Sequence, residues 1–230
     1  MSKKGIIMSI KSKMLAAAAV VTLASGLSAV GTVAAHAATP QCGSGCITPR
    51  SAAYPGFVET VLFGLPLRGA PTLVSPAVGW NPAEDFIIPG GGPGSASTFY
   101  ASGMVPAAIV SHYGGKGYAA LQIEYAPYGK PTGLCSGIAT TAYQDETLSL
   151  QPCSTPDTTV WILDFKDSPI PGDYSIINAS TTDFTHPFVM TILGNPAHQL
   201  FTPIIMQHLI GSAGSVPANQ LWEAGHGPVA

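Results

Sequence analysis

The sequence predicts an all-β fold, and three observations carry that prediction. The 230-residue chain is poor in charge (9% Asp, Glu, Lys and Arg) and rich in turn formers, with 26 Gly and 21 Pro, which suits short strands joined by tight turns. Short β-prone runs alternate with Gly/Pro breaks from Phe57 to Leu209. A large aromatic also recurs behind a turn three times, in Glu84-Asp85-Phe86, Thr159-Val160-Trp161 and Gln220-Leu221-Trp222.

Residues 1–37 read as an export signal. Lys3, Lys4, Lys11 and Lys13 form a basic start, Met14 to Ala34 is rich in Ala, Val and Leu, and Ala35-His36-Ala37 supplies the small-x-small cleavage pattern. A retained membrane anchor is the rival, but the run is weakly apolar and ends in that pattern. Removing it takes four of the nine Lys and Arg, leaving five cations against twelve acids, a net charge of −7. No basic patch survives, so nucleic acid and anionic membrane are disfavoured as partners and the expected location is extracellular. The 46% hydrophobic content excludes a disordered chain.

Residues 38–55 form a lead-in segment without periodicity that carries Cys42 and Cys46. With Cys135 and Cys153 the cysteine count is even, which in an exported protein implies disulfides. Three pairings are open, and Cys42 with Cys46 and Cys135 with Cys153 is the simplest partition. A four-Cys zinc site is the alternative, against which Cys135 and Cys153 each stand alone. Further along, Phe57–Leu62, Thr72–Val74, Ala107–His112, Tyr118–Tyr125, Tyr174–Ile177, Phe188–Leu193 and Ile204–Leu209 are strand candidates. Gly90–Gly94 is a flexible loop, and at most one short helical turn fits, around Ala101–Val110. In the central unit Leu148 and Leu150 alternate with polar residues, Ser154-Thr155-Pro156-Asp157 makes a turn, and Val160 and Ile162 resume the alternation.

The aromatics stand 75 and 61 residues apart. Leu73 and Leu148 lie 13 residues before Phe86 and Trp161, and Ile205 lies 17 before Trp222. The order Cys135, Leu148-x-Leu150-x-x-Cys153, Trp161, together with Gln220-x-Trp222, resembles the repeat of the ricin-type β-trefoil lectins. The chain also looks like exported proteins of high-GC Gram-positive bacteria, which implies a compartment and no activity. The ricin-type resemblance implies a β-trefoil-like fold of three repeats over residues 56–230, with the aromatics meeting on a pseudo-threefold axis and insertions filling the long spacings. It implies a non-catalytic binding module with a glycan or cell-surface component as partner and no cofactor. Ser136-Gly137 and Gln151-Pro152 stand where the middle repeat would need its acid and aromatic, and the first repeat has no Cys to anchor it. The third repeat keeps Asp183 as hydroxyl acceptor, His208 as platform, and Asn219 with Gln220 as further contacts. The alternative for these residues is that Asp183 shapes a turn and Gln220 bonds backbone beside Trp222.

Two other functions compete. One is an extracellular structural or protein-interaction domain without a sugar site. The other is a secreted hydrolase, using Cys135 in the Gly133-x-Cys135-x-Gly137 frame or one of the carboxylate pairs Glu84/Asp85, Asp145/Glu146 and Asp164/Asp167. His112, His186, His198, His208 and His226 show no metal-ligand spacing.

Overall fold

The computed structural model describes residues 45–78, 81–199, 201–211 and 214–226. The signal segment and Cys42 lie outside the described residues. The chain runs β1 (Cys46–Ser51), β2 (Phe57–Val61), β3 (Thr72–Pro76), β4 (Phe86–Ile87), α1 (Ala96–Ala101), α2 (Ala107–Tyr113), β5 (Tyr118–Leu121) and β6 (Glu124–Tyr125). It continues through β7 (Leu134–Gly137), β8 (Ser149–Pro152), β9 (Trp161–Asp164), β10 (Asp173–Asn178), β11 (Phe188–Ile192), β12 (Thr202–His208) and β13 (Trp222–His226).

The antiparallel pairings β1–β4, β4–β6, β5–β9, β9–β10, β10–β13 and β13–β1 close a ring. β5 and β6 are one strand interrupted at Gln122-Ile123, where the Gln122 amide turns aside to donate to the Cys153 carbonyl (2.6 Å) and Thr159 Oγ1 (2.9 Å). Three hairpins, β2–β3, β7–β8 and β11–β12, cap one end of the ring. Their second strands meet one another through Val74 with Thr202, Pro71 with Ser149, and Thr147 with Ile205. Each repeat thus gives two strands to the barrel and one hairpin to the cap. The fold is a β-trefoil.

Register aligns the repeats residue by residue. Glu59 faces Val74, Ser136 faces Leu150 and Met190 faces Met206. The tryptophans agree, since Trp161 Nε1 donates to the Ser136 carbonyl (2.9 Å) and Trp222 Nε1 to that of Met190 (3.1 Å). Phe86, Trp161 and Trp222 are fully buried and share one core cluster, the convergence that the repeat pattern predicts. Val74, Leu150 and Met206 belong to that core, whereas Leu73 and Ile205 are buried outside it. The spacing match therefore placed repeats 1 and 3 one residue out of register, which in a strand moves a side chain to the other face.

The lead-in reading of residues 38–55 also changes. From Cys46 onward this segment is a barrel strand, bonded to β13, β4 and β2, and the ring would not close without it. The expected strand at Ala107–His112 is instead α2, and the one expected helical turn is two short helices. Ser95 caps α1 by accepting from the Thr98 amide, Pro106 starts α2, and Ile109 and Tyr113, four apart, share its buried face. That face packs with Val160, Ile162 and Ile177, so β9 is buried on both sides. Among the described residues no helix is long and apolar enough to cross a membrane.

Candidate functional site

Repeat 1 carries an open cleft of about 430 Å³ whose lining includes Thr60, Ser75, Asn81, Pro82, Phe63 and Phe201. Its walls come from distant parts of the chain. The tip of the first hairpin holds Phe63 in left-handed backbone, φ 58° and ψ 11°, followed by Gly64 at φ 63°. A phenylalanine pays steric strain there, and that strain is sustained by neighbours. Tyr125 Oη donates to the Gly64 carbonyl (2.9 Å), and a side chain on Gly64 would meet Ala83 and Tyr125. Phe63 is consequently held out in solvent, 77% exposed, edge-to-face with the 58% exposed Phe201 at 6.3 Å.

The floor is polar and pre-ordered. Asn81 Oδ1 accepts from the Ala83 amide (3.1 Å), and Asn81 Nδ2 donates one hydrogen to Glu84 Oε1 (3.1 Å). Among the described residues its second amide hydrogen has no partner. Thr60 Oγ1 lies 3.3 Å from the Val58 carbonyl and shares a 2.6 Å hydrogen bond with Ser75 Oγ, which fixes both hydroxyls in the floor. Glu84, which supports Asn81, is pushed up to about 7 by burial, against the Val78 amide and the Asn81 side chain that favour its charged form.

The third repeat explains why the cleft belongs to repeat 1. Thr191 is the counterpart of Thr60 and makes the same bond, to the Val189 carbonyl (3.2 Å). There Gln220 reaches inward, donating to Thr191 Oγ1 (3.2 Å) and the His208 carbonyl (2.9 Å) and accepting from the Ile210 amide (2.9 Å). Gln220 is fully buried and acts as scaffold. Its counterpart Glu84 turns instead to the Val78 amide and Asn81, leaving the outer face of the first hairpin uncovered.

The remaining third-repeat residues divide. Asp183 Oδ1 accepts from the amides of His186 (3.0 Å) and Thr185 (2.9 Å), which hold the carboxyl below its ordinary value, so it does shape a turn. His208 Nδ1 bonds the His186 carbonyl, and its ring stacks on Phe188 at 4.0 Å. Asp183, His186 and His208 are therefore neighbours. Asn219 is not among them, because its amide donates to the Ile192 carbonyl (3.2 Å), four residues along β11 from Phe188.

Cys135 is bonded to Cys153, which removes the thiolate that a nucleophile in the Gly133-x-Cys135-x-Gly137 frame requires. Cys46 is also disulfide-bonded. Asp85 of the first carboxylate pair is buried and accepts from the Tyr128 amide (2.8 Å). Among the described residues, no group of three or more His, Cys, Asp or Glu is placed to hold a metal ion. The cleft residues Phe63 and Phe201 escape a motif search, although an aromatic directly before glycine in a loop tip, as in Phe63-Gly64 and again in Tyr128-Gly129, is a usable signal.

No protein-family model matches the sequence, and no curated protein does. Solved structures do. A designed 3-fold symmetric protein, ThreeFoil, superposes with a TM-score of 0.51 at 13% identity over 78% of this chain and 97% of its own. A mosquitocidal holotoxin matches at 0.54 and 12% identity over 80% of this chain and 17% of its own. The exo-beta-1,3-galactanase of Clostridium thermocellum matches at 0.50 and 12% over 79% and 30%. This chain thus spans well under half of the toxin and of the galactanase. What it shares with all three is the fold.

Proposed function

We propose that the protein is an exported, non-catalytic binding module whose repeat-1 cleft takes carbohydrate. The observation that carries this reading is the pairing of two exposed phenylalanines with a fixed polar floor, the Asn81 amide and the bonded hydroxyls of Thr60 and Ser75. Sugar rings offer this combination in reverse, with an apolar C–H face and a rim of hydroxyls. An open cleft with few polar anchors binds weakly, so affinity for a single sugar should be low. On a broad glycan array the wild type should retain one glycan class, and Phe63→Asn should lose it. Asparagine tolerates left-handed backbone, so that variant should melt no lower than the wild type. Equal retention by Phe63→Asn would exclude the cleft.

A second reading has its own support. Leu65 and Leu67, 47% and 59% exposed, extend the apolar tip beside Phe63 and suit a protein partner. A wild type that binds nothing on the array would give this protein-interaction reading first place. The export part of the proposal rests on the basic start and Ala35-His36-Ala37, and N-terminal sequencing of protein from culture supernatant should begin at Ala38 or within a few residues. Intact mass retaining residues 1–37 would reject it.

A further inference from the structure

We propose that the barrel end below the Trp161 layer is a binding site for one small, uncharged hydrocarbon-like molecule, walled on one side by the segment from Ile88 to Gly94. This site is separate from the repeat-1 cleft and does not depend on its ligand. A cavity of about 90 Å³ lies there, among Ile47, Ile88, Pro93, Leu121, Ile123 and Ile176. Its lining is almost entirely carbon. The hydroxyl-bearing neighbours are Thr48, which is buried and already donates to the Glu84 carbonyl (3.2 Å), and Tyr174. An internal water needs two to four polar partners, more than this lining offers, whereas an apolar cavity of about 150 Å³ stays dry and binds benzene or xenon.

The wall explains why the space is open. Pro89-Gly90-Gly91-Gly92-Pro93 carries no side chain across its middle, and Gly90 and Gly91 stand at φ 85° and 86°, where larger residues are strained. Both ends of the segment are held. The Gly91 amide donates to the Ile88 carbonyl (2.9 Å), and Gly94 exchanges two backbone hydrogen bonds with Ala120 (2.7 and 2.9 Å). Of the three glycines Gly92 alone lies between the two anchors, and with no side chain it leaves an apolar ligand a way in. The chamber is too small for an extended chain or a sugar, so compact hydrocarbon groups are the class it selects.

Benzene titrated into methyl-labelled protein is the test. The expected result is saturable shifts and benzene contacts on the methyls of Ile47, Leu121, Ile123 and Ile176, with a melting temperature that rises with benzene. Ile176→Phe fills the space and should weaken benzene binding at least tenfold. Where that variant fails to fold, the wild-type contact map decides by itself. Shifts that grow linearly without saturation, contacts that map to Phe63 and Phe201, or undiminished binding to folded Ile176→Phe would each overturn the proposal.

Discussion

Trp222 and Gln220 show how single residues divide the labour in this fold. Both are fully buried, and each donates to a backbone carbonyl, the indole to Met190 and the amide to His208. Trp222→Phe keeps most of the apolar contact but leaves the Met190 carbonyl without its donor, a loss of ~1–3 kcal/mol. Trp222→Ala removes the ring as well and should cost ~3–5 kcal/mol. Urea unfolding should rank the two in that order. Phe86 occupies the same place in repeat 1 with no N–H to give, so Phe86→Leu should show the packing loss alone. If Trp222→Phe proves as costly as Trp222→Ala, the hydrogen bond and not the ring's packing governs the site.

At the scale of elements, the middle hairpin is the one reinforced covalently. Cys135 in β7 and Cys153 just past β8 are 18 apart in sequence, with Cα atoms 4.9 Å apart beside the Leu134–Pro152 pair. Closing a loop of that length should stabilise by ~3 kcal/mol in the chain-entropy model. Cys135→Ser should therefore lower the denaturation midpoint in oxidising buffer, and the difference from the wild type should vanish once both are reduced. A free Cys135 thiol found by peptide mapping would contradict the pairing. The helical insertion works differently. It stabilises by covering β9 and β10 from outside, which is why β9 lacks the alternation expected of a barrel strand with one wet face.

For the whole molecule, the pseudo-threefold layer of Glu59, Ser136 and Met190 is the place where symmetry and chemistry conflict. Glu59 is fully buried, and burial pushes its carboxyl up to about 7 from the usual 4.5, against the Ser136 and Thr72 hydroxyls that favour the charged form. Ser136 Oγ donates to it at 2.5 Å. The folded protein then holds a proton that the unfolded chain releases above 4.5. The resulting stability is fully present below that value and is lost as pH rises through about 7. A shift of this size corresponds to ~3 kcal/mol. The melting temperature should fall between pH 5 and pH 8, and Glu59→Gln, which keeps an acceptor for Ser136, should flatten much of the fall. Glu84, raised in the same direction, accounts for a remaining slope. A pH profile unchanged by Glu59→Gln would mean that Glu59 does not titrate in this range.

Much of the architecture was legible in the sequence because it is local. Gly and Pro spacing marks the turns, two-residue alternation marks β8, and an aromatic two residues after a turn-forming position marks each repeat's return to the core. The Cys135–Cys153 bond was legible for the same reason, as a closure within one hairpin. Repeat register was not, since Leu73 and Val74 differ only in which face of β3 they occupy, and pairing with β2 and β12 decides that. Helix α2 was missed because Ile109 and Tyr113 acquire their meaning from Val160 and Ile162 more than forty residues on. The site follows the same division. Asp183, Asn219 and Gln220 are visible as residue types, but whether an amide faces solvent or is consumed by a distant carbonyl is a property of the packed chain. The cleft depends on Phe63 meeting Phe201, and the titrating layer on Glu59 meeting Ser136, 77 residues away. Backbone preference acts over a few residues, whereas burial is decided by whatever the closed barrel brings alongside.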